Sequence, residues 1–254
     1  MSTWTNISRR NFLGSVAGTA ATLFSFQPIR ADQPRAAPGR EIDCALLDLK
    51  SHCALPESLQ GYQAARAGTN TQLPEAWPQL QRPYRIVIIP GVGLMNPAMA
   101  DALSNLVNDG ACLLLESGAG FLSPSEFSAH RKMLRRHFGL AVERPVDLWS
   151  GKSEVHIDSR RSYGRNSRKR LDTRGLAPYV SYSWPQDTKV RDFSRIVPVS
   201  LQTGDVIGRV GDIPVALKKR VGKGTLIFLG SPMGPALGAS DPEAQRWLQS
   251  VTAL

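Results

Sequence analysis

Residues 85–121, RIVIIPGVGLMNPAMADALSNLVNDGACLLLESGAGF, leave this chain few ways to fold. The run 85–89 is apolar and β-branched and stops at Pro90-Gly91, which predicts a short buried strand. Asn96 is a good N-cap, and Pro97 suits the first helical position. Met99, Ala102, Leu103 and Leu106 then fall on one helical face, and Asn108-Asp109-Gly110 supplies a stop that can turn left-handed. The run 111–115 predicts a second, central strand. Strand, helix and strand in this order give parallel strands with a right-handed crossover. Ligands of open α/β sheets sit at the carboxyl ends of such strands, which here carry residues 90–93 and 116–120.

The pattern continues on both sides. Residues 42–49 predict an earlier strand and 56–67 a helix, with Leu59, Tyr62 and Gln63 at helical spacing. Ser123-Pro124-Ser125-Glu126 is a capping box for a helix that runs to Phe138 and stops at Gly139. Phe127, Leu134 and Phe138 can face the sheet, while Arg131, Lys132, Arg135 and Arg136 face out. His130 and His137 flank that basic face; a solvated face is the plainer reading of the pair, a metal or proton role the sharper one. Residues 142–149 predict a returning strand. Short strands follow at 196–201, 205–210, 213–219 and 225–229, punctuated by Gly204-Asp205, Gly211-Asp212 and Gly222-Lys223-Gly224. Asp241-Pro242-Glu243 opens a last helix with Ala244, Trp247, Leu248 and Val251 on its apolar face. With 254 residues and 42% hydrophobic content, one full core can be buried. The expected fold class is α/β: a mostly parallel sheet flanked by helices, with a β-hairpin-rich C-terminal part.

The stretch 85–121 also resembles the core of class I glutamine amidotransferase-like domains, including the N-terminal type of biotin-protein ligases. In that family one strand ends in Pro-Gly-Gly, a helix follows, and the next strand ends in a nucleophile elbow. Ile89-Pro90-Gly91-Val92-Gly93 stands for the first and Leu115-Glu116-Ser117-Gly118-Ala119-Gly120 for the second. Residues 222–232, GKGTLIFLGSP, resemble the late strand that delivers the family's histidine. The resemblance implies a flavodoxin-like sheet and an oxyanion-type loop at Gly91 and Gly93. It also implies that the triad positions fall on Glu116, Ser231 and Met233, where the family has cysteine, histidine and glutamate. A carboxylate cannot stand in for a thiolate as acceptor of a glutamine acyl group, and no imidazole is placed to move the proton. The resemblance therefore implies a scaffold without amidotransferase chemistry, a pseudoenzyme.

The N-terminus sets the compartment. Ser8-Arg9-Arg10-Asn11-Phe12-Leu13 matches a twin-arginine export signal, and the apolar run 12–26 behind it is too short to span a bilayer. Residues 1–31 are thus expected to be a signal peptide, 32–40 a Pro- and Ala-rich linker, and 41–254 the α/β domain. The expected location is the periplasm, with no transmembrane segment after signal removal. The three arginines of residues 1–31 bring the net charge of +10 down to +7 for the rest.

Within the domain, residues 151–184 form a basic insertion. Lys152, Arg160, Arg161, Arg165, Arg168, Lys169, Arg170 and Arg174 stand against Glu154, Asp158 and Asp172. Behind an export signal this points away from nucleic acid and toward an anionic surface, or toward a solvated excursion whose charge aids solubility. Cys44 and Cys53 are near enough in sequence for a disulfide in an oxidising compartment; two unlinked thiols are the alternative. Cys112 reads as a buried apolar residue. No CxxC spacing, Walker motif or GxGxxG at a strand–helix junction occurs, so no metal and no nucleotide cofactor is expected.

Three functions from different classes remain. One is a non-catalytic accessory or assembly subunit with a protein partner, carried by an export route that moves preassembled complexes. A second is a hydrolase using Ser117, with Glu116 beside it and Gly91 and Gly93 donating to an oxyanion. A third is a binding module for a small anion or glycan in the pocket of Gly91, Gly93, Glu116, Ser117, Gly118 and Ser231.

Overall fold

The computed structural model describes residues 44–47, 56–65, 70–72, 84–117, 120–121, 123–148, 154–158, 168–172, 178–193 and 195–253. The expected signal peptide, the linker, Cys53, Gly118, Arg160, Arg161 and Arg165 lie outside them. In chain order the elements are β1 (Cys44–Leu47), α1 (Pro56–Ala64), β2 (Asn70–Gln72), β3 (Ile86–Val92), α2 (Pro97–Asp109), β4 (Cys112–Ser117) and α3 (Pro124–Phe138). There follow β5 (Glu154–Asp158), β6 (Arg168–Asp172), β7 (Tyr179–Tyr182), β8 (Thr188–Arg191), β9 (Asp205–Val210), β10 (Ile213–Val221), β11 (Gly224–Leu229), α4 (Gly234–Gly238) and α5 (Pro242–Thr252).

The caps form where the residue types call for them. Asn96 accepts from the Met99 amide at 2.7 Å, and Ser123 from the Glu126 amide at 3.2 Å. Asp241 accepts from the Glu243 and Ala244 amides at 2.8 and 3.2 Å. Gly139 ends α3 in the left-handed region at φ 61°.

Nine strands make one sheet in the order β2-β1-β3-β4-β11-β10-β9-β7-β8. The pairs from β2 to β11 are parallel and those from β11 to β8 antiparallel. The fold is α/β, and its sheet is mixed rather than mostly parallel. The reason lies in the turns. The Gly211-Asp212 and Gly222-Lys223 turns reverse the chain within two residues, so β9, β10 and β11 form hairpins instead of crossovers. Strands β5 and β6 pair antiparallel in a sheet of their own; Arg168, Lys169 and Arg170 sit on β6.

Strand parity sorts the core into two layers. Ile86, Ile88, Leu114, Ile227 and Leu229 face a layer with Tyr62 of α1, Met233, Leu237 of α4 and Trp247 of α5. Val87, Ile89, Leu113, Leu115, Leu226 and Phe228 face the layer with Met99 and Leu103 of α2 and Leu134 and Phe138 of α3. Successive side chains of a strand point to opposite faces, so one residue decides which layer a group serves.

Three expectations need correcting. β3 does not stop at Pro90-Gly91. It runs on to Val92 through an irregularity between Ile89 and Val92, with Gly91 at φ 57°. A bulge is where a strand tolerates proline and a left-handed glycine. Of the strands expected at 142–149 and 196–201, the described residues 142–148 and 196–201 form none; they meet in the isolated bridges Val142↔Val199 and Val146↔Ile196. Pro145 and Pro198 each lack the amide that a longer ladder requires. His130 is not on a solvated face but fully buried.

Candidate functional site

The carboxyl ends of β4 and β11 lie side by side, with Glu116 in register with Leu229. Beyond Leu229 the chain turns through Gly230, Ser231 and Pro232 into α4. Gly230 is required there, because a Cβ on it would stand 2.0 Å from the Val197 carbonyl oxygen.

Glu116 faces the layer of α1 and α4 and is fully buried. Its Oε2 accepts three hydrogen bonds, from Tyr62 Oη at 2.8 Å and from the Met233 and Gly234 amides at 3.0 and 3.2 Å. Burial raises its pKa, against the opposing pull of these donors and of the nearby Ser58 hydroxyl. Glu116 Oε1 and Ser58 Oγ close no hydrogen bond of ordinary geometry. Burial, reinforced by the Glu116 charge, also pushes the Tyr62 phenol well up.

Ser231 donates to Asp192 Oδ2, and both are buried. Tyr182 lies close enough to Glu116 and Asp192 to feel both charges; burial and these two carboxylates raise its pKa. Its ring packs on Trp247 with centroids 5.0 Å apart. Met233 is buried among apolar groups.

Ser117 is one residue on and serves the other layer. Its Oγ lies 2.9 Å from His130 Nε2, and both residues are fully buried. Burial lowers the His130 pKa to about 4, with the Gly93 backbone opposing the shift. Nδ1 closes no hydrogen bond of ordinary geometry, and the ring packs against Phe121 at 4.9 Å between centroids. The β3 bulge sets Val92 in register with Ser117, and Gly91 and Gly93 on either side are buried.

The structure therefore gathers Glu116, Ser231 and Met233 at one rim, and separates Glu116 from Ser117. Sequence reasoning missed three participants, Tyr62, Asp192 and Tyr182, and gave His130 a proton role only as the sharper alternative to a solvated face. Only His130 carried a signal, since Phe127, Leu134 and His130 share a helical face. Cys44 is a buried thiol whose pKa burial pushes up to about 12. Among the described residues no cluster of three or more His, Cys, Asp or Glu could hold a metal ion, and no helix is long and apolar enough to cross a membrane.

Fold and rim together define a class: an α/β domain whose strand-end rim is filled by its own side chains. In sequence the chain matches no family model and no curated protein. In structure it is similar to part of a β-galactosidase of Rahnella sp. R3, with TM-score 0.52 and 12% identity over 84% of this chain and 31% of that one. It is also similar to a GH42 β-galactosidase of G. stearothermophilus, with TM-score 0.49 and 14% identity over 83% of this chain and 30% of that one. A cytoplasmic protein of Salmonella typhimurium LT2 gives TM-score 0.48 and 11% identity over 83% of this chain and 98% of that one. The chain spans about a third of the length of these galactosidases. The Rahnella likeness concerns the fold alone.

Proposed function

We propose that the protein is an exported, non-catalytic amidotransferase-like module that acts as an accessory or assembly subunit of a periplasmic complex. One observation carries the reading. The position that the resemblance gives to the nucleophile holds Glu116, which is fully buried and tied by three hydrogen bonds to α1 and to the start of α4. A group so placed fastens two helices to the sheet and meets no substrate. Gly91, Gly93, Ser117 and Ser231 are buried as well, which weighs against an anion or glycan pocket at that rim. The test is affinity isolation of the protein from the periplasm, with a glutaminase assay on the product. The reading expects a stoichiometric protein partner and no ammonia release. Elution alone as a monomer, or turnover of glutamine, overturns it.

The Ser117–His130 pair favours a second reading, a hydrolase with a serine nucleophile and an imidazole base. Against it stand full burial of both groups and a base with a pKa of about 4, well below the pH at which it would work. A fluorophosphonate probe decides between the two. Labelling of Ser117 that is lost in His130→Gln establishes the hydrolase; an unlabelled Ser117 in the folded protein removes it.

A further inference from the structure

The opposite end of the parallel strands has a different character. Helices α2 and α3 return there, because each connects the carboxyl end of one strand to the start of the next segment. The α2 terminus meets the β10–β11 turn, where the Lys223 amide donates to the Asn108 carbonyl at 3.0 Å. The α3 terminus meets β10, where Lys219 Nζ lies 3.4 Å from the Phe138 carbonyl. Arg85, at the foot of β3, donates to the Thr252 carbonyl at the end of α5. Three helix ends and one hairpin tip thus collect Arg85, Arg135, Arg136, Lys219, Arg220 and Lys223. The carboxylates on these helices near that end are Asp109 and Asp101, and Asp101 is held by His137 at 2.7 Å.

Part of this charge has a structural cause. Lys219 and Arg85 satisfy terminal carbonyls, and cations suit the negative end of a helix dipole. That account leaves Arg135, Arg136, Arg220 and Lys223, which are exposed and make no ion pair or side-chain hydrogen bond among the described residues. What such a patch can bind follows from what it lacks. Stacking of single-stranded nucleic acid needs exposed rings, and a protein interface needs an apolar or aromatic anchor. Among the described residues the exposed large apolar side chains are Phe193, beyond the end of β8, and Leu201, in the short turn that packs on β10; leucine is under-represented among the hot spots of protein interfaces. A layer of mobile anionic headgroups needs neither a ring nor a fixed spacing, only concentrated positive charge.

We propose that this end of the sheet is an electrostatic docking surface for an anionic phospholipid bilayer, with Arg135, Arg136, Arg220 and Lys223 in the headgroup layer. The rim that holds Glu116 and Ser231 then lies at the strand ends turned away from the lipid. The surface is independent of whether that rim is catalytic or not.

The experiment is co-sedimentation of the full chain with vesicles of roughly one third phosphatidylglycerol in phosphatidylcholine, against pure phosphatidylcholine, at low salt and at ~0.5 M salt. Three proteins are compared: wild type, the patch variant R135Q/R136Q/R220Q/K223Q, and a control with equal charge removed elsewhere, K189Q/R195Q/R209Q/R246Q. Each patch charge is expected to contribute about fivefold, so the preference for anionic vesicles should fall several hundredfold in the patch variant. It should fall far less in the control, and salt should abolish it in wild type. Should the patch variant misfold, the single variants R220Q and K223Q at the hairpin tip are each expected to lose about fivefold. No preference in wild type, an unchanged preference in the patch variant, or equal losses in patch variant and control overturn the proposal. So does patch-dependent retention on heparin without vesicle binding, which would assign the patch to a soluble polyanion.

Discussion

Glu116 and Ser117 are consecutive in β4 and work on opposite faces of the sheet. Glu116 is bonded to Tyr62 in the α1 layer, Ser117 to His130 in the α3 layer. No chemistry can use the two together, because the strand itself stands between them. Glu116 is in effect a buried three-way junction, and its replacement should depend on how many donors stay satisfied. Glu116→Ala leaves the Tyr62 hydroxyl and two amides without their acceptor beside a void; a loss of about 3–5 kcal/mol is expected. Glu116→Gln keeps a carbonyl for those three donors and puts an amide donor toward Ser58 Oγ, which closes no hydrogen bond in the wild type. It should lie within about 1 kcal/mol of wild type at neutral pH. Urea denaturation of both variants separates a junction from a catalytic group, which would make Gln inert but Ala harmless to stability.

Two of the buried titratable groups, His130 and Glu116, predict pH slopes of opposite sign. His130 has a folded pKa of about 4 against 6.5 in the unfolded chain. Its contribution is complete above pH 6.5 and is lost as pH falls through 4, by roughly 3 kcal/mol for about 2.5 pH units at ~1.4 kcal/mol each. Denaturation between pH 7 and 4 should show that loss in wild type and not in His130→Phe. Retention of the slope in the variant would assign it to other groups.

Glu116 acts the other way. Its folded pKa is raised above 4.5, so its contribution is complete below 4.5 and is lost as pH rises through the folded value. Glu116→Gln removes this loss, so its stability relative to wild type should climb as pH increases. A difference that stays flat from pH 4 to 9 would mean that the carboxyl ionises alike in the folded and unfolded chain.

Much of this arrangement was legible in the residues, and the exceptions share a cause. Asn96, Ser123 and Asp241 cap their helices through contacts that span two or three residues, which a local reading can see. The central strands declare themselves through apolar runs buried on both faces. The sheet's direction was not legible beyond β11, since parallel and antiparallel strands carry the same apolar pattern and only the turn geometry separates them. Glu116 looked like a site because it sits at a strand end; its partners come from residues 54, 117 and 118 positions away. His130 shows the same limit at short range. Its position beside arginines suggested solvent, while the helical face that it shares with Phe127 and Leu134 placed it inside.

Two glycines give a last prediction, and they separate close approach from backbone freedom. At Gly110 the backbone is at φ 127°, yet a Cβ would meet nothing nearer than Lys223 Cβ at 3.8 Å. Gly110→Ala should cost only conformational strain, about 1–2 kcal/mol. Gly61 carries no such φ, but a Cβ there would stand 1.7 Å from the Gly234 carbonyl oxygen, and one on Gly234 would stand 2.3 Å from Ser58 Cα. Helices α1 and α4 therefore touch backbone to backbone, and neither atom can swing aside as a side chain would. Gly61→Ala must push the helices apart, which pulls Tyr62 and the Met233 and Gly234 amides away from Glu116 together. It should cost more than Gly110→Ala by several kcal/mol, in the range of severe overpacking plus a stranded buried carboxylate. The pairing with Glu116 supplies the check. If the helices separate, Glu116→Gln should recover part of the loss in the Gly61→Ala background, since a neutral amide is less costly to strand than a carboxylate. Equal stability of Gly61→Ala and Gly110→Ala would mean that α1 and α4 do not pack this closely.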